Sequence, residues 1–302
     1  MTAGCGIPRP ASPLLGPIGI EAVPVPLNPQ DPAVTALGEF HYAGGLHLSS
    51  RQTNLLHELS DLVVTDMDKL TAVSDEGILL EARLVLDDAG RLVGVTDATL
   101  SRLTGEDGKP LTDTALIDAE GLALLTGGDR LVSFERGSRV WLYPKSGGPP
   151  RLVPSPEVTL PPNASLEALS ADADAGEGAY VVGAEESGET WTCRVTTPCV
   201  RGPTVEKPSE FGLVAMNRLP NGRTAYLLRA YDSVRGSRIT LKIVQSASVI
   251  ARMDLASPMT VDNFEGVTSV SRPGGARRFY LISDDNAGST QRTLLLAFDW
   301  QP

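Results

Sequence analysis

The feature that most limits the folds open to this chain is a strand–turn–strand unit that recurs along it. The first strand opens on an acidic residue beside a small or apolar one: Asp61-Leu62, Glu120-Gly121, Glu167-Ala168 and Glu265-Gly266. The second strand closes on another acid: Asp75 in LTAVSDE, Glu135 in LVSFER, Glu185 in YVVGAEE, and Asp284 with Asp285 in FYLISDDN. Gly-containing turns such as TGGD and RPGG join the halves, as reversal of a hairpin requires. A fifth copy, GLVAMNRLPNGRTAYLLRAYD, keeps the form but has Gly212 at its start and Arg229 in place of the closing acid.

The copies start near residues 61, 120, 167, 212 and 265. That spacing, about 45 to 60 residues, belongs to propeller blades of four strands. Two further strand-like runs follow the hairpin: Arg139 to Tyr143 and Arg151 to Val153 after Glu135, and Ile239 to Val244 and Val249 to Met253 after Arg229. The last copy has room for only one more, Thr293 to Phe298. The expected fold is therefore an all-β propeller whose ring is completed by a strand from residues 36–49, which removes the open sheet edge. The motif count gives five blades. Six is the alternative, with Ile20 to Ser49 supplying part of the sixth. Residues 1–34 read as a Pro-rich tether, and residues 35–302 as the propeller.

Almost no stretch carries apolar residues at the 3.6-residue period of a helix. With 41% hydrophobic and 21% charged residues, the chain is neither a disordered polar polymer nor a helical rod. A net charge of −11 opposes binding to a phosphate backbone. No apolar run approaches the roughly 18 residues of a membrane-spanning helix. Cys193 and Cys199, six residues apart, could close a small disulfide loop, which would place the protein outside the reducing cytosol; two unrelated thiols are the alternative. Thr2 to Cys5 looks like the end of a bacterial lipoprotein signal, in which Cys5 would carry the lipid. A periplasmic or cell-envelope location is the resulting expectation.

Hairpin geometry makes the mechanistic statement. In an antiparallel pair, the first residue of strand one and the last of strand two lie at the same end. The innermost strands of a propeller run parallel around the axis, so Asp61, Asp75, Glu120, Glu135, Glu167, Glu185, Glu265 and Asp284 should meet at one face, with Arg229 among them. Like charges so crowded repel unless some are protonated, paired or bound to a cation, and hard oxygen ligands in number suit Ca²⁺. The plainer alternative is that each acid accepts backbone hydrogen bonds that lock neighbouring loops together.

Other chemistries find less support. There is no G-x-S-x-G elbow, P-loop, G-x-G-x-x-G or Cys/His zinc pattern. His41 and His47 flank Gly44-Gly45 on an expected strand and read as core or interface histidines; His57 lies close by. Asp172-x-Asp174-x-Gly176 lacks the rest of a calcium loop and reads as a solvated hairpin tip, as does Asp66-Met67-Asp68. Asn163-Ala164-Ser165 fits a glycosylation sequon that an envelope lipoprotein would not use. Trp141, Trp191 and Trp300 read as packing between blades.

The runs YAGGLHLSS, SDLVVTDMDKLTAVSDEG, DAEGLAL with LVSFER, NASLEALS, and NFEGVTSV with YLISDDNAGSTQRTLLLAF together resemble the bacterial "esterase-like activity of phytase" family, over residues 35–300. The resemblance implies a secreted or envelope propeller. By analogy with propeller phytases, it also implies calcium-dependent phosphomonoester hydrolysis at the carboxylate-lined face. On the hairpin argument the metal falls to Asp75, Glu120, Glu135, Glu167, Glu185, Glu265 and Asp284, and catalysis to Glu135 and Arg229. A phosphorylated small molecule would be the substrate. Since the 26 basic residues are mainly arginine, phosphate recognition would rest on guanidinium groups. Arg136 and Arg292 are further candidates near the rim, each also placed to pair with a neighbouring carboxylate. The rival reading is a non-catalytic envelope propeller that binds a ligand or protein at the same face, with calcium structural.

Overall fold

The computed structural model describes residues 13–113, 116–135, 137–158 and 165–302. Five antiparallel sheets form a ring, and each sheet follows the chain outward from the axis. Blade 1 runs Leu59–Thr65, Lys69–Ser74, Ile78–Leu86, Leu92–Arg102. Blade 2 runs Ala119–Leu124, Arg130–Phe134, Arg139–Tyr143, Arg151–Val153. Blade 3 runs Ala168–Ala171, Ala179–Gly183, Thr190–Arg194, Thr197–Arg201. Blade 4 runs Gly212–Leu219, Arg223–Asp232, Gly236–Gln245, Ser248–Ala256. Blade 5 starts with Asn263–Ser271, Arg277–Asp284 and Leu294–Trp300 and takes its fourth strand, Phe40–Ser49, from near the other end of the chain.

That strand closes the ring as the motif count requires. Leu294 pairs with His47 and Trp300 with Phe40. A sixth blade is not formed: Ile20 to Ser49 instead builds the outer part of blade 5, where Glu21–Pro24 and Ala36–Leu37 pair with Phe40–Ser49. Gly16–Pro17 pairs with the outermost strand of blade 1, so residues of the Pro-rich segment lie along blade edges. Cys5 lies outside the described residues. No helix among the described residues is long and apolar enough to cross a membrane.

The core sits between the blades rather than at the axis, and side-chain alternation explains why. In Arg130–Phe134, Leu131 joins the apolar cluster shared with blade 3, whereas Val132 and Phe134 join the cluster shared with blade 1. A blade strand is thus buried on both faces and reads as a continuous apolar run. Similar clusters lie between blades 1 and 5, 4 and 5, and 3 and 4. The three tryptophans belong to these layers: Trp141 packs edge-on to Phe134, Trp300 stacks near Phe40, and Trp191 is buried between blades 2 and 3.

Two local expectations change. His41 is exposed on its strand rather than in the core. Asp172 is buried, caps the turn at Ala175 and pairs with Arg218 at 3.1 Å, so its hairpin tip is tied down rather than solvated. Asn163 and Ala164 of the sequon lie outside the described residues. Cys193 and Cys199 form a disulfide across the outer hairpin of blade 3.

Candidate functional site: an acidic mouth around the ring axis

One backbone device places the site side chains. Near the start of the innermost strand the register skips a residue, at Ser60 in blade 1, Glu120 in blade 2, Val214 in blade 4 and Glu265 in blade 5. Such a β-bulge re-aims the extra side chain out of the ladder. Two residues earlier stand Glu58, Asp118, Gly212 and Asn263. Opposite them, at the end of the second strand, stand Asp75, Glu135, Arg229 and Asp284. In blade 3 the same three places fall to Glu167, Ser165 and Glu185.

The main chain at these places ties the blades together while their side chains turn to the mouth. Asp75 N–H donates to Glu58 O, Glu135 N–H to Asp118 O, and Glu185 N–H to Ser165 O, at 3.1, 2.9 and 3.1 Å. The next blade answers: Asp118 N–H donates to Asp75 O and Leu213 N–H to Glu185 O, both at 2.9 Å.

The bulges revise two alignments made from sequence. Asp61 lies one place beyond the bulge, where blades 2 and 5 have Gly121 and Gly266. It therefore does not join the mouth. Its buried carboxylate accepts the amides of Leu62 and Leu122 at 2.8 Å each, and that of Val267, so it binds blade 1 to blades 2 and 5. In blade 4, Val214 rather than Gly212 holds the place of the opening acid, and Gly212 leaves room for the Glu185 carboxylate.

Asp75, Glu120, Glu135, Glu167, Glu185, Glu265 and Asp284 do come together, in a circuit that passes through all five blades. Glu120 senses the charges of Glu167, Asp75, Asp118 and Glu135. Glu167 lies against Glu185, and Glu185 reaches Arg229 at 3.4 Å. Arg229 pairs with Glu265 and donates to Asn263 Oδ1 at 2.9 Å. The Asn263 amide donates to Glu265 at 2.8 Å and to Asp284 at 3.1 Å, and Asp284 raises Asp75.

Burial and repulsion together keep protons on this circuit. Burial, then the charges of Asp284, Asp118 and Glu58, pushes Asp75 up to about 7, against a 2.5 Å bond from the Ser60 hydroxyl. Burial and Glu185 push Glu167 up to about 8, with Arg229 opposing. Burial chiefly raises Asp284 to about 6, and the Glu120 carboxyl stands well above the usual range. Perturbation of several carboxyls at one mouth is the pattern functional sites use.

Among the described residues, one purely carboxylate trio is close enough to share an ion. Oxygens of Asp118, Glu120 and Glu135 all lie within 4.8 Å of one another. The repeat in the sequence does not single out Asp118, nor Glu58 and Asn263. Their shared signal is a polar residue two places before the bulge, which only the register reveals. Beside Arg229 a cavity of about 890 Å³ opens between blades 4 and 5, lined also by Arg292, Tyr231, Asn263, Asn286 and Gln291. Arg292 pairs with Asp262 at 3.2 Å; Arg136 lies outside the described residues.

The family model for phytase-like proteins, described as esterase-like activity of phytase, matches residues 54–287. The chain belongs to this family. No curated protein matches it. Among solved structures, the phytase-like chain is similar to virginiamycin B lyase from Staphylococcus aureus at 8% identity and TM-score 0.46, covering 92% of this chain and 99% of that one. It is also similar to a protein of unknown function from Bacteroides caccae, at 11% identity and TM-score 0.42, covering 86% and 88% of the two chains. A third likeness is to a chain of a nidogen/laminin complex, at 10% identity and TM-score 0.43, covering 91% and 96%.

Proposed function

We propose that the protein is a calcium-dependent phosphomonoester hydrolase working at the acidic mouth. The observation that supports this most is the Asp118, Glu120 and Glu135 trio, whose oxygens lie within 4.8 Å of one another, with the Glu120 carboxyl raised by burial and by its acidic neighbours. An all-oxygen, multiply negative donor set without sulfur fits a hard cation such as Ca²⁺. On this reading the trio holds the ion, and Asp75, Glu167, Glu185, Glu265 and Asp284 provide the surrounding field and further ligands. Bound there, Ca²⁺ would supply Lewis-acid stabilisation of phosphate charge and activation of water.

The chain's own residues do the positioning. Glu185, Glu265 and Asn263 fix the Arg229 guanidinium at the wall of the cavity. From there it would offer paired N–H donors to a phosphate. Glu135, a member of the trio, would be the carboxylate that takes part in catalysis. The substrate is a phosphorylated small molecule rather than nucleic acid, which the charge of −11 would repel. The Cys193–Cys199 disulfide supports a location outside the reducing cytosol, which on this reading is the periplasm or cell envelope.

A second reading, a non-catalytic envelope propeller that binds its ligand at the same mouth, draws on one observation. Arg229 is already engaged by two carboxylates and an amide. A phosphomonoester panel assayed with Ca²⁺ and with chelator separates the two. Turnover that chelator abolishes and that both Glu135→Gln and Arg229→Ala lose establishes the hydrolase. A calcium-dependent rise in melting temperature with no turnover on any substrate establishes the binding propeller.

A further inference from the structure

A second cluster of ligand-type side chains lies at the blade 1 edge of the mouth, and its chemistry differs from that of the trio. His57, Glu58 and Glu76 each offer one ligand atom, and these atoms lie within 4.8 Å of one another. His57 is 7% exposed. Its Nδ1 faces Glu58 Oε2 at 3.0 Å and its Nε2 faces Glu76 Oε2 at 3.6 Å. Yet Nδ1 makes no well-aligned hydrogen bond, although it is cut off from water. A buried imidazole held between two carboxylates, out of alignment for a hydrogen bond on the Glu58 side, brings one nitrogen and two oxygen ligands within reach of a single ion.

The fold holds two of the three residues in place by their backbones. Glu58 takes a left-handed conformation at φ 51°, and its N–H donates to the Asp285 carboxylate at 3.1 Å. The Glu76 carbonyl accepts the Arg102 guanidinium at 2.8 Å. Both carboxylates keep contact with solvent, at 21% and 44% side-chain exposure, which leaves an entry path. One imidazole with two carboxylates is a donor set for a borderline divalent cation such as Zn²⁺, Mn²⁺ or Co²⁺, whereas Ca²⁺ avoids nitrogen. Oxygen and nitrogen ligands of one such ion, bound at about 2.0 to 2.2 Å, lie up to about 4.4 Å apart. The cluster therefore needs only a slight closing.

We infer that His57, Glu58 and Glu76 form a transition-metal site, separate from the all-carboxylate trio and of a different metal class. The inference does not depend on the phosphoesterase reading. Co²⁺ is the probe, because its ligand-field absorption reports the atoms bound to it. Full-length protein, stripped by chelator and then held in excess Ca²⁺, is titrated with Co²⁺. One equivalent with a visible band is expected. The band should be lost in His57→Ala, and affinity should fall at least tenfold in Glu76→Gln, whose half-exposed side chain makes loss of folding no concern. Asp118→Asn should bind Co²⁺ as the parent does. Absence of the band in the folded parent would overturn the site, and so would parental affinity in Glu76→Gln or a loss of the band in Asp118→Asn that matches the loss in His57→Ala.

Discussion

Arg229 occupies in blade 4 the register position that Asp284 occupies in blade 5, and both bind the same Asn263 side chain. A single basic residue at a place held elsewhere by acids neutralises part of the mouth, since Glu185 and Glu265 both reach it. Arg229→Ala should therefore destabilise the calcium-free protein by about 1 to 3 kcal/mol, between the values for exposed and for fully buried pairs. It should also tighten Ca²⁺ binding, because the mouth becomes more negative. Denaturant unfolding and calcium titration of the same variant check both effects. A variant as stable as the parent, with unchanged affinity, would deny Arg229 this role.

The pH dependence follows from the raised carboxyls. Asp75, Glu167 and Asp284 hold protons up to about 7, 8 and 6 when folded, whereas the unfolded chain releases them near 4. Between these limits the folded state binds more protons, so stability must fall as pH rises. Without calcium, stability should be greatest below about pH 4 as regards these groups and decline to about pH 8. Each group that stays protonated only in the folded state contributes at most about 1.4 kcal/mol to the decline per pH step of one. Saturating Ca²⁺, which stabilises the ionised form, should flatten the decline. Thermal unfolding at a series of pH values, with and without calcium, measures it. Stability that rises over this window in chelator would contradict the crowded mouth.

Glu120 gives the sharpest separation between cation binding and structural hydrogen bonding. Its carboxyl is held well above the usual range by burial and four neighbouring acids. Glu120→Gln keeps the shape and removes the charge. At pH 8 in chelator the variant should melt higher than the parent, while the calcium-induced rise in melting temperature should shrink. A carboxylate whose job was to accept amide bonds would give the opposite result, with the variant less stable in both conditions.

The Cys193–Cys199 bridge closes a loop of only six residues' separation on the outer hairpin of blade 3. Chain-entropy arguments assign a loop of this size about 2 kcal/mol. The paired Cys193→Ala, Cys199→Ala variant should lose about that much in denaturant unfolding and leave calcium binding unchanged, because the bridge sits at the rim of the ring, far along the sheet from the axis. A loss of calcium affinity would mean that the outer strands of blade 3 set the position of Glu167 and Glu185.

Much of this molecule was legible from the hairpin repeat. The count of five and the parallel inner strands follow from the five copies, and the recruitment of residues 36–49 from a last copy that is one strand short. What the repeat concealed was register. A bulge adds one residue to the first strand without altering the apolar pattern around it, so Asp61 aligns in sequence with Glu120 although its structural counterpart is Gly121. The same ambiguity hid Asp118, because its place is filled by Glu, Ser, Gly and Asn in the other blades. Sequence periodicity records which face a residue takes, whereas a bulge records where two strands cross, and that depends on the neighbouring blade.

Gly266 tests the bulge directly. A Cβ there would stand 2.8 Å from the Asp61 Cα and 2.8 Å from the Ile282 Cγ2 atom, so the inner strands of blades 1 and 5 approach more closely than any side chain allows. The Asp61 backbone cannot withdraw without breaking the amide bonds from Leu62, Leu122 and Val267 that its carboxylate accepts. Gly266→Ala should therefore cost about 2 to 3 kcal/mol, the upper part of the range for overpacking. By displacing the neighbouring Glu265 carboxylate from the mouth it should also lower calcium affinity. Gly94→Ala supplies the control: its nearest neighbour, Val85, would lie 3.5 Å from the new methyl, an ordinary contact. Equal, small losses for the two variants in denaturant unfolding would mean that blades 1 and 5 are free to separate at the axis, and the mouth would then lack the rigid spacing that holds its carboxylates together.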